Sequence, residues 1–438
     1  MRLSSFTFAL IVLHSILSSQ LGFCSSDYTE IYNWVKKENI LKEPKAGATL
    51  TNKDISIIEE WIPPKMIEEF KFPQLKLNIQ ETKVEQPHSS FVIATQKWAN
   101  TATIETDGSL KNYKAGQPFS DEQIKKAPSK IGGFMIGWNN IHRWQHFGYK
   151  INIITMAYVS GSEDDGPLNE NEGLLGGGKL DRLLSQSYHR VYLNKLAMLP
   201  ENEYKVALKD STTRFYKDFM EFLDPRDVKG TKFVVERMLD PHADDQVNTY
   251  LPTERRVRRF SAKERADSFM GSNVTLDDFE GFSGRVLDYH WSYIGSRKIL
   301  AVSNMEEDFI SVYGPNSRAL KHSYQIRDCY VVEVKSIWEG HPYKSRILFV
   351  DKQTFNIPVS LIFDHEDALW KVMQTVTSSP HSLKEITESV PSWRGQITVD
   401  LKANNATVVR AKTPTLHPVM KPKEIKRVFA VSTLTEGR

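Results

Sequence analysis

DDQVNTYLPTERRVRRFSAKERADSFMGSNVTLDDFEGFSG, residues 244–284, carries several signals in one run. It opens as a strand, with Val247, Thr249 and Leu251 on one side of a pleat and Asn248 and Tyr250 on the other. Pro252-Thr253-Glu254 breaks the alternation. Arg255, Arg256, Arg258 and Arg259 then crowd around Val257. Drawn as a strand, Arg256 and Arg258 share a face with Phe260, while Arg255 and Arg259 share the other with Val257. Small and polar residues follow, punctuated by Phe269, Met270 and Phe279. More alternating strands flank the run.

Guanidinium groups suit carboxylates and phosphates through paired hydrogen bonds. Two readings of the four arginines follow. They pair inside the chain with Asp244-Asp245 or Asp277-Asp278, or they form a mouth that grips an anionic headgroup or docks an acidic partner.

Downstream, residues 232–376 read as a β-meander. Leu287, Tyr289, Trp291 and Tyr293 face one way, and Asp288, His290 and Ser292 the other. Tyr330, Val332 and Val334 repeat the period, then Leu348 and Val350, then Ile357, Val359, Leu361 and Phe363. Short turns at 351–354 and 364–367 dictate antiparallel neighbours. The tail adds strands at 396–401 and 407–411. Upstream, strands are expected at 151–159 and 188–196, and the Gly132-Gly133 segment as a loop leading into a helix. Residues 27–70 look helical with breaks, since Asp27 can cap a helix bearing Ile31, Trp34 and Val35 on one face, and Pro63-Pro64 stops a second. The expected organisation is a signal peptide at 1–24, an N-terminal helical segment at 25–75, and a single curved-sheet domain at 76–438.

Residues 1–24 read as an export signal: Arg2 is the basic region, Phe6 to Leu17 the apolar one, and small residues follow. Two processing readings compete. Gly22-Phe23-Cys24 fits ordinary removal, while Leu21-Gly22-Phe23-Cys24 looks like a lipoprotein box with Phe23 where a small residue is expected. The remainder then holds one cysteine, Cys329, within the strand-like DCYVVEV, where a small buried hydrophobe is the simplest role. A formal charge of +3 gives no sign of nucleic-acid binding. Nine tryptophans and 22 phenylalanines are enough to line a cavity as well as fill a core.

Other motifs read blandly. Gly173 to Leu180 matches most of a phosphate loop, but Leu180 replaces the hydroxyl residue that would hold magnesium, so a flexible surface loop is expected. His142 and His146 share a spacing zinc uses, yet Arg143 follows where a glutamate is needed and no third ligand is evident. Glu163-Asp164-Asp165 lacks the spacing of a calcium loop. No G-x-S-x-G elbow is present, and no catalytic, cofactor or metal residue is assigned.

TYLPTERRVRRFSAKERADSFMGSNVTLDDFEGF resembles the signature of bacterial periplasmic proteins of the outer-membrane lipoprotein-sorting-like kind, in particular the domain-of-unknown-function 1329 family (DUF1329). GQPFSDEQI, GWNNIHRW, LDYHWSYIGSRKIL, the run from DCYVVEV to DALWKV, and ITVDLKANNATVVRAKT support it. The turn at 364–367 departs from the pattern, with His365 and Glu366 where a Gly-bearing turn is expected. The resemblance implies an α+β, mainly β fold: a strongly curved antiparallel sheet, an unclosed Lol-carrier-like barrel with helices on its concave side. It implies a periplasmic protein of a Gram-negative bacterium, either free or outer-membrane-anchored through Cys24. It implies company with a resistance-nodulation-division type exporter and an outer-membrane β-barrel, and it supplies no catalytic residue.

The physics of such a carrier is simple. A sixteen-carbon chain left in water forfeits on the order of 12 kcal/mol, at about 0.8 kcal/mol per CH₂. A dry half-barrel removes that cost without covalent chemistry. Tyr289, Trp291, Phe349 and Phe363 are the candidate cavity-lining residues, although alternation alone leaves open which pleat faces inward. The expectation is a non-catalytic carrier of lipid or another hydrophobic molecule, acting with an envelope export system. The rivals are a structural adaptor that binds an exporter or barrel without lipid, and a hydrolase.

Overall fold

A computed structural model of the chain describes residues 26–161, 167–199, 203–261, 263–378, 390–416 and 420–435. Residues 1–24, expected to be an export signal and including Cys24, and Glu163-Asp164-Asp165 lie outside the described residues. Strands β1 to β10 are Thr49–Thr51, Lys76–Ile79, Thr103–Ile104, Leu110–Lys111, Gly148–Ser160, Lys179–Tyr192, Arg214–Asp224, Lys232–Met238, Gln246–Leu251 and Arg256–Phe260. Strands β11 to β20 are Tyr289–Ala301, Val312–Tyr313, Ala319–Leu320, Ser323–Ser336, Ser345–Asp351, Val359–Phe363, Leu369–Ser378, Ser392–Asp400, Asn405–Ala411 and Thr415–Leu416. Helices are α1 (Asp27–Lys36), α2 (Ile55–Ile58), α3 (Ser89–Lys97), α4 (Asp121–Lys126), α5 (Ser129–Ile141) and α6 (Pro422–Phe429).

One mainly antiparallel sheet dominates. Its neighbours run β1-β2-β14-β15-β16-β17-β18-β19-β5-β6-β7-β8-β9-β10, with β11 on β14 and β20 on β5. Two meanders build it, β5 to β10 and β14 to β19, and β19 joins them by pairing with β5. The β2–β14 contact is parallel. Among the described residues β10 pairs only with β9, so the sheet curves without closing into a barrel.

The expected continuous meander over 232–376 is therefore two runs, separated by the turns of 263–284. The second early strand starts sooner than expected, at Lys179, and takes in the end of the glycine-rich segment. That segment is not a flexible surface loop: Leu174 is fully buried and its neighbour Leu175 donates to the Val312 carbonyl at 2.9 Å. A Cβ at Gly176 would sit 2.2 Å from the Gly314 carbonyl oxygen, so the two backbones touch.

Gly132-Gly133 also differs from expectation, since both lie inside α5 rather than in a loop. The cause is close approach. A Cβ on Gly133 would meet the Ser292 nitrogen at 2.7 Å, and one on Gly137 the Trp291 ring at 3.1 Å. Glycine weakens a helix by about 1 kcal/mol relative to alanine, and here it lets the helix backbone rest on β11.

Alternation puts two apolar faces on the strands. On one face Val331, Ile347, Leu361 and Ile397 form a large core with α1 and with Trp61, Met66 and Phe70 of the N-terminal segment. Helix α1 is capped by Ser26, whose hydroxyl accepts from the Thr29 amide at 3.3 Å, and it buries Ile31 and Val35, four residues apart on one side. The opposite face carries α5 and the 263–284 segment. Cys329 is fully buried within the first of these cores.

Candidate functional site

Residues 263–284 form a plug across the inner face of the sheet. Three short 3₁₀ turns build it, Lys263–Ala266, Phe269–Gly271 and Leu276–Gly281. Met270 and Glu280 both take φ 55°, the left-handed region that side chains seldom adopt. Thr275 starts the last turn, its amide donating to Asp278 Oδ2 at 2.8 Å. The Phe269 ring lies 6.0 Å from Phe222 and 5.8 Å from Phe233, centroid to centroid. The Phe279 ring lies 5.2 Å from Tyr188 and 4.8 Å from Trp393. Polar ties come from neighbouring strands. Tyr158 donates to the Met270 carbonyl at 2.8 Å, the Asn273 amide to Thr407 at 3.0 Å, and Lys371 to the Asn273 carbonyl at 2.9 Å.

Each acid of the DDFE run finds a different buried cation. Asp277 accepts from Arg265 at 2.8 Å and from the Tyr289 hydroxyl at 2.9 Å. Asp278 accepts from Arg346 at 2.8 Å and from Tyr343 at 3.2 Å. Glu280 accepts from Arg143 and, at 2.7 Å, from the Tyr149 hydroxyl, with Arg190 at 3.6 Å. Arg190 is itself clamped by both oxygens of Asp218, at 2.7 and 2.8 Å, and stacks 4.1 Å from the Tyr216 centroid.

Burial pushes the Glu280 carboxyl upward, but Arg143 and Arg190 outweigh it and hold the group below the usual carboxylate range. The same contest at Asp277 is decided by Arg265 and Arg346, again downward. Both acids are therefore ionised at neutral pH. Removing one partner of such a buried pair costs roughly 3–5 kcal/mol.

Between plug and sheet lies a cavity of about 80 Å³, bordered by Met156, Tyr188, Met220, Phe233, Phe269 and Phe279. Pockets that hold drug-sized ligands run to roughly 300–1,000 Å³. Plug and strand side chains together leave little open volume between them.

The residues expected from sequence fall in three places. Arg255, Arg256, Arg258 and Arg259 are exposed on and beside β10, the free edge of the sheet. Arg256 and Arg258 both reach Glu254, at 3.0 and 2.7 Å. The acids offered as their partners are held by others: Asp244 by Arg285 at 2.7 Å, Asp245 by Arg237 at 2.9 Å, and Asp277 and Asp278 as above. Charge on an exposed edge also blocks unwanted strand pairing.

Tyr289 and Trp291 face the plug and α5; the Trp291 indole donates to the Val286 carbonyl at 2.9 Å and packs 5.3 Å from Phe282. Phe349 and Phe363 lie on the other pleat, against Trp34 at 6.3 Å and Tyr28 at 5.5 Å. His142 is ringed by Tyr113, Trp138 and Phe215, and the His146 ring packs on Phe147 at 5.0 Å. Sequence reading passed over Arg190, Asp218, Glu280 and Arg346. A charge set among apolar strand residues, as in YHRVY and SRILF, is the signal that finds two of them.

Among solved structures, similarity extends to a DUF1329 family protein from Desulfovibrio piger, with TM-score 0.47, 17% identity, and coverage of 70% of this chain and 100% of that one. A structure described as an outer membrane lipoprotein-sorting protein domain from Vibrio parahaemolyticus aligns at TM-score 0.46 and 15% identity, covering 69% and 98% of the two chains. A LolA superfamily protein from Nitrosomonas europaea aligns at TM-score 0.37 and 12% identity, covering 68% and 97%. No curated protein matches. The family described as protein of unknown function (DUF1329) matches residues 176–435, more than half of the sequence, and the chain belongs to that family.

Proposed function

We propose that the protein is a non-catalytic carrier of lipid or another hydrophobic molecule in the bacterial envelope. One observation carries this reading: a separate segment, 263–284, lies across the apolar face of the curved sheet and adds Phe269, Val274 and Phe279 to the core on that face. Phe269 and Phe279 occupy the space an acyl chain would take. A cavity of about 80 Å³ is too small for such a chain, so loading requires the plug to withdraw. Enclosing sixteen methylenes is worth on the order of 12 kcal/mol, enough to offset several plug contacts.

The export pattern in residues 1–24 supports a periplasmic location, with Cys24 as the tether point in the lipid-anchored alternative. No helix among the described residues is long and apolar enough to cross a membrane. The family resemblance supports a resistance-nodulation-division type exporter and an outer-membrane β-barrel as working partners. The test is direct: extract purified protein with organic solvent and identify the extract by mass spectrometry. A stoichiometric lipid supports the carrier, and empty protein that takes up no fatty acid contradicts it.

A second reading is favoured by the free edge at β10. Exposed Arg255, Arg256, Arg258 and Arg259 beside unpaired strand backbone suit an acidic protein partner, and a structural adaptor would dock there without lipid. Retention of a partner by protein shown to be lipid-free favours this reading.

A further inference from the structure

A second hollow, of about 260 Å³, borders the end of the plug, where Arg237 donates to the Ser283 and Gly284 carbonyls, but shares no lining residue with the apolar cavity. Its walls are rings: His142 lies 4.2 Å from Tyr113 and 5.2 Å from Phe215, with Trp138 stacked at 6.0 Å, centroid to centroid. Burial lowers the His142 pKa to about 3, so this imidazole is neutral at pH 7 and acts as a flat wall rather than a charge.

The cations around the hollow differ in whether an acid lies beside them. Arg237 is matched by Asp245 at 2.9 Å, and Arg285 by Asp288 at 2.6 Å and Asp244 at 2.7 Å. Lys111 and Asp240 are both exposed on the rim. Lys195 is left over. It makes no ion pair among the described residues, and its ammonium donates to the Tyr113 carbonyl at 2.8 Å with two N–H groups to spare. Burial lowers its pKa, the mark of a cation lacking its counter-charge.

Its placement is also enforced. Lys195 takes φ 62°, and its amide donates to the Asn194 side chain at 2.7 Å, while Asn194 donates to the Ser211 carbonyl at 2.5 Å. Asn112, on the same wall, takes φ 58°. Asparagine tolerates that region, so it is the Lys195 conformation that needs the support of the Asn194 side chain.

We propose that this hollow is a second ligand site for a small monoanion with a flat apolar body, of the aromatic carboxylate class. Lys195 supplies the counter-charge, and Tyr113, His142 and Phe215 supply the walls. A single ammonium without an ion pair matches a single negative charge.

Benzoate is the probe, with benzyl alcohol as its uncharged counterpart, titrated calorimetrically into the full chain at pH 7. Benzoate is expected to bind at one equivalent and at least tenfold tighter than benzyl alcohol. Lys195→Met is expected to weaken benzoate at least tenfold, while Lys111→Met leaves it unchanged. Absence of benzoate binding at millimolar concentration, or equal binding by Lys195→Met, overturns the proposal. If Lys195→Met fails to fold, Ala243→Phe decides, because it fills the hollow from its rim without altering charge: lost binding supports the site and unchanged binding overturns it.

Discussion

The rings of Phe279 and Trp393 meet with centroids 4.8 Å apart, although Phe279 belongs to the plug and Trp393 to β18. The same Phe279 ring lies 5.2 Å from Tyr188 on β6. Between β18 and β6 the sheet interposes β19 and β5, so a flat sheet would hold the two strands about 14 Å apart. One ring reaches both because the sheet bends around it. Phe279→Ala should destabilise the fold by about 2 kcal/mol, less than a fully buried phenylalanine because the residue is only partly buried. It should also enlarge the apolar cavity. Denaturant unfolding reads the first effect, and stronger uptake of a fluorescent fatty acid the second.

Glu280 is one of three acids that anchor the plug. Glu280→Gln leaves Arg143 and Arg190 short of a counter-charge in a buried site, and a loss of roughly 3 kcal/mol is expected. Amide exchange followed by mass spectrometry should show residues 265–283 losing protection ahead of β14 to β19. Uniform loss across the chain would mean that Glu280 supports the whole fold rather than the plug.

Acid should act on the same anchors. The folded-state pKa values of Asp277 and Glu280 lie below their unfolded values, which are about 3.9 and 4.3. Their contribution is therefore fully present above about pH 5 and lost as pH falls through the folded values. Stability measured from pH 7 down to pH 3 should decline mainly at the acid end, and Glu280→Gln should decline less than the parent protein.

Gly133 tests the close contact of α5 with β11. A methyl group there would stand 2.7 Å from the Ser292 nitrogen and 2.8 Å from the Trp291 carbonyl carbon. Gly133→Ala should cost about 1–3 kcal/mol despite alanine's better helix propensity. Lys130→Ala, on the exposed side of the same helix, should change stability by less than about 0.5 kcal/mol.

Much of this architecture is legible along the chain, for identifiable reasons. Alternation in YHWSY marks β11, because a half-buried pleat imposes that period, while the apolar run of YVVEV marks β14, which is buried on both faces. The importance of 244–284 is visible too, in its density of arginines and aromatics. What the run does is not, since Asp278 meets an arginine 68 positions away and no local pattern encodes that. Gly132-Gly133 misleads because glycine serves turns and close approaches alike. The inward pleat is equally hidden: Tyr289 and Phe349 alternate in the same manner, yet they face opposite cores.

The arginines of the free edge should be dispensable for folding. Changing Arg255, Arg256, Arg258 and Arg259 to Glu is expected to alter stability by no more than about 1 kcal/mol, because the surface pairs with Glu254 are weak. If an acidic partner docks at β10, co-purification of that partner should be lost. A complex that survives the change rules out docking through these arginines.

Titration of the purified protein with a fluorescent fatty acid, with amide exchange recorded at each point, tests the carrier most directly. Saturable uptake near one equivalent, with protection falling in residues 263–284 as the ligand enters, is the predicted result. Absence of saturable uptake, or uptake that leaves those amides as protected as before, would contradict a trough that exchanges its plug for cargo.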